Sequence, residues 1–474
     1  MAGEIWSDRG HFINGGWTGA GTGIAVENPA NGETIATVTA GTSSDMDRAV
    51  AAAHAALPSW MATTAAERAA FVGKIAELVA ARKDTLADTM TREIGMPLKL
   101  TSMIQVGLPL TTFQKTAALA ADFPFEREVG NSRVLQEAVG VVAAITPWNY
   151  PLHQIAAKVA PALVAGCTVV VKPADLAPLN ALLLAEIAEA AGLPAGVLNV
   201  VTGRGSVVGQ LLATHPDVDM ISFTGSTHTG SLLAREAAVS IKRVSLELGG
   251  KSAAVLLEGA DLEKAVKATV GACFLNSGQT CSALTRLVVP KAQAAAAADI
   301  AREAAQGFAL GDPLDPATRL GPVISARQRE IIRGMIVAAA ADGAMLVCGG
   351  ADTPAGLDRG YYVKPTIFTS VDPNSALAQD EVFGPVLAIL AADNDDDAIA
   401  IANNSRYGLS GSVWAGSQEQ AVAAARRIRT GQIEINGGRF NPLAPFGGFK
   451  QSGYGRELGV FGIEEFVETK ALQF

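Results

Sequence analysis

The middle of this 474-residue chain alternates short apolar runs with helical segments, and that alternation restricts the fold more than any other feature. Runs rich in Val, Ala and Ile are typical of buried strands, while the stretches between them carry apolar residues at helical spacing. The pattern predicts strands at 140–145, 168–171, 197–201 and 220–223, with helices at 151–164 and 181–191. Such an order is typical of a parallel, doubly wound sheet, which binds its ligand at the carboxyl ends of the strands.

Further elements are predicted on either side of this sheet. A second α/β lobe is expected from about 249 to about 446, with strands near 253–257, 284–289 and 386–390. The N-terminal third is predicted as a strand pair followed by helices, with turns at 12–17 and 28–33 and helices from Ser43 and over 65–81. The segments 128–135 and 466–472 alternate like outlying strands, whose exposed edges would be a liability unless a partner covers them.

Composition narrows the function classes. The net charge of −9 and the lack of a Lys/Arg-rich run argue against nucleic acid as a partner. No apolar stretch is long enough to span a bilayer, and residues 1–8 lack the basic and apolar blocks of a signal peptide. The 4 cysteines are scattered and the 5 histidines do not cluster with them, so neither a disulfide framework nor a metal site is indicated. We therefore expect a cytoplasmic, reduced protein without a membrane partner.

Two segments carry groups suited to carbonyl chemistry. Glu247 lies in an apolar run that ends in a glycine pair, and a carboxyl in apolar surroundings has a raised pKa and can act as a general base. Cys281 follows Gly278 and a polar residue, and a cysteine at a turn or helix start can be held partly as the nucleophilic thiolate. A buried structural cysteine and an ion-paired glutamate are the alternatives for either residue alone. The pair, in this order and spacing, favours catalysis.

The segments 244–252 and 276–281 closely resemble the glutamate and cysteine active-site motifs of the NAD(P)-dependent aldehyde dehydrogenase superfamily, and the resemblance covers essentially the whole chain. It implies an α/β, aldehyde dehydrogenase-like fold with a Rossmann-type cofactor domain, an α/β catalytic domain and a small β oligomerisation arm. The implied bounds are 1–125 and 139–248 for the dinucleotide-binding domain, 249–446 for the catalytic domain, and 126–138 and 447–474 for the arm. A homodimer or homotetramer is expected.

The resemblance also assigns catalytic residues. Cys281 would attack the aldehyde carbon, and Asn149 would donate to the oxyanion together with the Cys281 backbone N–H. Glu247 would activate the water that hydrolyses the resulting thioester, which indicates the hydrolytic, non-acylating branch because the CoA-acylating and phosphate-ester-forming branches typically lack this glutamate. Lys158 and Glu457 match positions that can pass protons to and from that base, although either could be structural.

Cofactor-binding residues are implied at the strand ends. Lys172 and Asp175 would hold the adenosine ribose of NAD, and Asp175 stands where many relatives have Glu, so NADP remains an alternative. A glycine turn that opens a helix presents free N–H groups to a pyrophosphate. The full set is Thr146, Pro147, Trp148, Lys172, Asp175, Gly205, Gly209, Phe223, Gly225, Ser226, Leu248, Glu381 and Phe383. An ordinary strand-to-helix turn at 146–151, a solvated Lys172–Asp175 pair and a surface Glu381 are the competing interpretations.

The substrate is expected to be an uncharged, apolar aldehyde, either aromatic or medium-chain aliphatic. Tyr150, Phe440 and Phe446 are the aromatic candidates for the tunnel wall, and Ala157 leaves room where many relatives carry a bulky side chain. Arg439, if it points inward, would pair with a carboxylate and favour a semialdehyde of the succinate type instead.

Two other function classes remain open at this stage. One is a cysteine-dependent esterase or hydrolase without redox chemistry, against which the segments around Lys172, Ser226 and Glu381 argue. The other is a non-catalytic structural protein on the same fold, as the lens crystallins derived from enzymes illustrate. The intact set of Cys281, Glu247 and Asn149 argues against this second class.

Overall fold

The computed structural model describes residues 9–19 and 21–474. Residues 1–8, on which the expectation about a signal peptide rests, lie outside the described residues, as does residue 20. The N-terminal part consists of two β-hairpins, a run of helices and an outlying strand pair. Its elements are β1 (Arg9–Ile13), β2 (Gly16–Gly19), β3 (Gly23–Asn28), β4 (Glu33–Thr39), α1 (Ser43–Met61), α2 (Ala65–Ala81), α3 (Lys83–Ile94), α4 (Leu98–Leu100), a π-helical segment (Thr101–Val106), α5 (Gly107–Leu119), β5 (Glu126–Val129) and β6 (Ser132–Ala138).

Strand and helix then alternate, as the apolar pattern predicts. The elements are β7 (Val141–Ile145), α6 (Pro151–Ala165), β8 (Thr168–Lys172), α7 (Leu179–Ala190), β9 (Leu198–Val200), α8 (Gln210–Thr214), β10 (Met220–Thr224), α9 (Thr227–Ala238) and β11 (Arg243–Glu247). The strands β9, β8, β7, β10 and β11 pair in parallel in that spatial order, and β1 adds antiparallel to β9 with β2 outside it. Because the chain winds outward from β7 to β9 and then returns to β10 on the other side of β7, the sheet has a switch point between β7 and β10.

The sequence of β7 shows why this sheet is covered on both faces. Successive side chains of a strand point to opposite faces, so an all-apolar strand needs two apolar layers. Val142 and Ala144 pack into one core cluster with α6, while Val141 and Ala143 pack into a second cluster with α1. Full burial of each aliphatic side chain stabilises the fold by about 1.5–3 kcal/mol before cavity and strain effects.

The second lobe repeats this architecture. Its elements are β12 (Ala253–Leu256), α10 (Leu262–Phe274), a 3-10 turn (Leu275–Gly278), β13 (Arg286–Pro290), a 3-10 turn (Lys291–Gln293), α11 (Ala294–Gln306), α12 (Ala326–Ala341), β14 (Met345–Cys348), β15 (Thr366–Thr369), α13 (Ala376–Gln379), β16 (Val386–Ala392), α14 (Asp395–Asn403), β17 (Tyr407–Gly408), β18 (Gly411–Trp414), α15 (Gln418–Ala425) and β19 (Glu434–Ile435). The sheet has the order β14-β15-β16-β13-β12-β18-β19, and β14 is its antiparallel edge. The α/β fold class predicted from the sequence is confirmed.

The C-terminal segment contains β20 (Phe449–Lys450), β21 (Gly453–Tyr454), α16 (Gly459–Glu464) and β22 (Val467–Gln473). Every residue of β22 pairs with β6, from Val467 opposite Ala138 onward, and β5 lies on the other side of β6. Within the segment 447–474, β22 is therefore the strand that joins the outlying sheet. The strand β21 instead pairs with β11, at the edge of the first sheet, and β20 pairs with β17.

Within the part of the chain that the structure describes, none of the helices is both long enough and apolar enough to cross a membrane.

Candidate active site

Glu247 is the last residue of β11, and Gly249 and Gly250 carry the chain from it toward the second sheet. The residue is only 3% exposed; no nitrogen or hydroxyl group of the described residues hydrogen-bonds either carboxyl oxygen, and the Cys281 thiol interacts with the carboxyl directly. Burial raises the pKa of Glu247 well above its ordinary value; the Glu457 carboxylate adds to the increase and the Lys158 ammonium opposes it. The raised pKa predicted from the apolar run is thus present, and this carboxyl retains a proton that ordinary carboxyls lose.

Cys281 lies in a turn that faces this carboxyl. The 3-10 turn before it has positive φ at Asn276, Ser277 and Gly278. A Cβ atom at Gly278 would lie 2.0 Å from the carbonyl oxygen of Gly384, so only glycine fits there. The Glu247 carboxyl is close enough to interact directly with the thiol.

Burial raises the pKa of the Cys281 thiol well above its ordinary value, and the carboxyl groups of Glu247 and Glu381 add to the increase. The expectation that local position alone holds Cys281 partly as thiolate is therefore wrong for the protein at rest. The physical reason is burial beside two carboxyl groups, and Cys281 does not stand at a helix start, since α10 ends at Phe274 and Cys281 sits in a turn.

Asn149 is fixed beside the cysteine turn from both ends. Its amide nitrogen donates to the carbonyl of Gln279 at 3.0 Å, which places a donor two residues from Cys281. Its own carbonyl accepts from Gln105 at 2.9 Å and from Asn276 at 3.0 Å. Gln105, a buried residue of the π-helical segment, had no motif that would have identified it from the sequence.

A buried polar chain leads from Glu247 back to the first sheet. Lys158 forms an ion pair with Glu457, and its ammonium also donates to Thr224 at 2.6 Å. Thr224 in turn donates to Gln154 at 3.1 Å. Because Glu457 and Lys158 both act on the pKa of Glu247, the structure brings together the residues that the sequence proposed for proton transfer.

A cavity of about 560 Å³ opens at the switch point between β7 and β10. Ten of the thirteen residues expected at the cofactor line it: Thr146, Pro147, Trp148, Lys172, Asp175, Gly205, Gly209, Phe223, Gly225 and Ser226. Helix α9 adds residues that sequence reasoning missed because its pattern is that of an ordinary amphipathic helix: Leu232, Leu233, Arg235 and Glu236. Ser226 caps the start of this helix by accepting from the N–H of Thr229 at 3.2 Å.

Two buried polar groups in this cavity make no hydrogen bond with the described residues. The hydroxyl of Thr146 is buried without a hydrogen bond in the described part of the chain. The Lys172 ammonium is buried too, and burial lowers its pKa to about 8 while Asp175 opposes the shift. Buried polar groups in native proteins are nearly always satisfied, so these two indicate a polar ligand.

The other three expected cofactor residues lie between this cavity and Cys281. Glu381 accepts from the N–H of Gly250 at 3.0 Å, and burial raises its pKa to about 7. Phe383 packs edge-on against Trp148 with ring centroids 5.3 Å apart, and Leu248 lies against α9. A Cβ atom at Gly249 would lie 2.2 Å from the Glu381 carboxylate, so the glycine permits the close approach of that carboxylate to the linker.

A second cavity, of about 340 Å³, opens onto Cys281 from the other side. Tyr150, Phe440 and Phe446 line it as expected. The sequence did not indicate the remaining wall residues, which are mostly apolar and come from segments without motifs: Met103, Ile104, Leu108, Ala272, Leu275, His153, Gln432 and Glu434 among them. What these residues share is their position around the cavity at Cys281, and the spacing of apolar residues along the sequence does not predict that position.

Two expected substrate residues do not line this cavity. Arg439 is exposed and is not among the residues that line this cavity, so the structure gives no support to the inward orientation considered for it. Ala157 is buried with Leu409, Phe446 and Leu458. It supports the wall from behind and makes no part of the surface itself.

Across residues 9–19 and 21–474, no three or more His, Cys, Asp or Glu side chains form a group that could hold a metal ion.

Comparisons with known proteins agree with this geometry. A sequence model of the Aldehyde dehydrogenase family matches residues 17–472. The chain is 44% identical over 473 residues to 3-succinoylsemialdehyde-pyridine dehydrogenase from a Pseudomonas species, with 98% of each chain covered. It is similar to the crystal structure of a mutant of aldehyde dehydrogenase C from Pseudomonas syringae complexed with NAD+ and octanal, at a TM-score of 0.97 and 45% identity, covering 98% of this chain and 97% of that one. An aldehyde dehydrogenase from Mycobacterium tuberculosis complexed with NAD+ gives a TM-score of 0.96 at 41% identity, covering 99% of this chain and 98% of that one.

The raised pKa of Cys281 makes a prediction about its reactivity. Because the thiol is protonated at rest, its alkylation by iodoacetamide should accelerate about tenfold per pH unit between about pH 6.5 and 8.5. The variant Glu247→Gln should react faster at every pH, since the Glu247 carboxyl raises the thiol pKa. Peptide-resolved mass spectrometry measures both rates, with half-buried Cys348 as an internal reference. A rate that does not change with pH would contradict the assignment.

Proposed function

The chain belongs to the aldehyde dehydrogenase family, and from this premise we propose how its residues carry out the reaction. It is an NAD-dependent aldehyde dehydrogenase. We assign the chemistry to Cys281, Glu247 and Asn149 and the product to the free carboxylic acid. One observation carries this proposal: the Cys281 thiol and the buried Glu247 carboxyl face each other between a polar cavity and an apolar one.

The first step is attack of the Cys281 sulfur on the aldehyde carbon, which forms a tetrahedral thiohemiacetal. The thiol must first lose its proton to solvent, which its burial makes costly at rest. Asn149, held at the Gln279 carbonyl, and the Cys281 N–H would donate to the oxyanion. One such donor stabilises the transition state by roughly 3 kcal/mol.

The second stage converts the thiohemiacetal into a thioester and hydrolyses it. The dinucleotide, when bound, supplies the hydride acceptor. Lys172, Thr146 and Ser226 suit its polar parts, because Lys172 presents a buried ammonium, Thr146 has no hydrogen bond among the described residues and Ser226 opens α9. Glu247 then takes a proton from the water that attacks the thioester, and the Lys158–Glu457 pair lies next in line to receive it.

The substrate proposed for this site is an aldehyde with an apolar body. The wall residues Met103, Ile104, Leu108 and Leu275 supply aliphatic and thioether surface, and Phe440 and Phe446 supply rings 6.3 Å apart. Each methylene buried here contributes about 0.8 kcal/mol. The octanal bound in the Pseudomonas syringae relative supports the same class of ligand.

The function is tested with octanal and NAD+ on the unaltered chain and on Glu247→Gln. We expect steady NADH production from the former. The variant should give a rapid burst of NADH followed by turnover at least about a hundredfold slower, because thioester hydrolysis loses its base. Cys281→Ser, which removes the nucleophile, should give neither phase while still binding NAD+. Equal steady-state rates for Glu247→Gln and the unaltered chain would refute the role of Glu247.

We further propose that Asp175 selects NAD over NADP. Its half-buried carboxylate lines the polar cavity beside Lys172, where it would accept from ribose hydroxyls and repel a 2′-phosphate. Arg235, the cation that could favour the phosphate, is exposed and already pairs with Glu236 at 3.2 Å.

Asp175→Ala should therefore lower kcat/KM for NAD by about tenfold, the usual effect of losing hydrogen bonds to a charged group. The same change should raise the NADP-to-NAD ratio of kcat/KM. Asp217→Asn, which removes an exposed carboxylate elsewhere in the same lobe, serves as the matched control. A ratio unaffected by Asp175→Ala would place the selectivity elsewhere.

The outlying sheet is proposed to join subunits into a homodimer or homotetramer. All four residues of β5 are exposed, and β22 is exposed from Glu468 onward, so a three-stranded sheet presents both of its edges to solvent. Unprotected edges of this kind pair readily with another chain.

Light scattering of the purified chain at micromolar concentration should accordingly give a dimer or tetramer mass. Deletion of residues 467–474 should shift the mass toward the monomer, whereas removal of Phe474 alone should not. A monomeric mass for the unaltered chain would refute this role of the sheet.

A further inference from the structure

One wall of the apolar cavity carries two polar side chains from the extended segment that leads into β19. Gln432 and Glu434 are two residues apart, so they point to the same face of the segment, and both line the cavity. Ile433 and Ile435 point the other way and pack against the core of the second lobe. Because side chains alternate between the two faces of this segment, the Glu434 side chain points into the cavity that opens onto Cys281.

The two polar side chains differ in what they are free to do. The Gln432 amide already donates to the Ser410 hydroxyl at 3.2 Å. The half-buried Glu434 carboxyl has neither a hydrogen bond nor an ion pair with any described residue. Burial raises the pKa of Glu434, as expected for a carboxyl that has lost water without gaining a partner. Glu434 is thus the carboxyl of this wall with unused hydrogen-bonding capacity, beside His153, whose Nδ1 is also without a partner among the described residues.

The rest of the wall does not offset this carboxyl. Neither Lys nor Arg is among the described residues that line the cavity, and Arg439 lies outside it. His153 is neutral, because burial lowers its pKa to about 4. Away from Cys281, the formal charge on the wall is therefore negative, and an anion entering the cavity would meet repulsion without a compensating cation.

We propose that Glu434 recognises the end of the substrate remote from the carbonyl, so that the enzyme favours aldehydes with a terminal cation or hydrogen-bond donor and rejects those with a terminal carboxylate. This inference rests on the proposed function, since it concerns the cavity that opens onto Cys281. Hydrogen bonds and ion pairs to a charged carboxylate inside a low-dielectric cavity are stronger than those in water. The apolar wall then binds the hydrocarbon chain of the aldehyde, and Glu434 contacts the terminal group at the end remote from the carbonyl.

The test compares four aldehydes with the same chain length: octanal, 8-hydroxyoctanal, 8-(trimethylammonio)octanal and 8-oxooctanoate. The quaternary ammonium is chosen because it cannot condense with its own aldehyde. For the unaltered enzyme, kcat/KM relative to octanal should be higher for the ammonium compound and lower for the carboxylate. Glu434→Gln should reduce the first ratio by about tenfold or more and raise the second, because it keeps the size and removes the charge.

Charge reversal sharpens the experiment. Glu434→Lys should exchange the order of the two charged substrates, whereas Glu419→Gln, which removes an exposed carboxylate of the same lobe, should leave both ratios unchanged. Ratios that are the same in the unaltered enzyme, Glu434→Gln and Glu434→Lys would overturn the proposal.

A binding readout separates this inference from the catalytic assignment. Octyltrimethylammonium and octanoate should protect Cys281 from iodoacetamide to different extents, the cation more strongly, and Glu434→Gln should abolish the difference. If no aldehyde is oxidised but this order of protection holds, the proposed chemistry fails and the role of Glu434 stands. If octanal is oxidised but protection ignores charge in both proteins, the role of Glu434 fails alone.

Discussion

The site is organised by a carboxyl group that has been removed from water without receiving a hydrogen bond from a nitrogen or hydroxyl group of the described residues. Glu247 ends the last parallel strand of the first sheet, and the glycine pair after it carries the chain into the second, so its desolvation follows from the way the two sheets are joined. An ionised carboxylate would be expensive in that position, and the group responds by keeping its proton. The same surroundings keep the Cys281 thiol protonated. In the protein at rest, the general base Glu247 and the nucleophile Cys281 are therefore both in their protonated, unreactive forms.

Much of the fold could be predicted because its signals are local. The apolar strands of the first sheet are short and continuous, and the predicted strand at 220–223 corresponds to Met220–Thr224. The helix predicted over 65–81 has those same bounds, since Thr64 and Glu67 form a capping box that fixes its start. The cofactor residues at the strand ends could be predicted as a group, because a parallel sheet places the carboxyl ends of its strands along one edge.

What the sequence could not indicate depends on contacts between distant segments. Glu434 and Met103 have no motif around them, and they meet only because the second lobe and the π-helical segment close over Cys281. The protonated state of Cys281 is of the same kind: it follows from burial beside two carboxyl groups that are far away in the sequence. Arg439 is the opposite case: its charge suggested that it pairs with a substrate carboxylate, and its exposed position does not support that role.

The π-helical turn at Thr101–Val106 has an evolutionary consequence. A π-turn holds one more residue than the α-helical turn it replaces, and here Met103 and Ile104 on that turn form part of the substrate wall. Losing a single residue would restore α-helical geometry and move the side chains of the turn itself, while the helix on either side keeps its register. The catalytic cysteine, its base and the dinucleotide cavity lie on other segments. A one-codon deletion here would therefore reshape the substrate wall, and because Gln105 on the same turn donates to the Asn149 carbonyl, it would also act on the oxyanion donor.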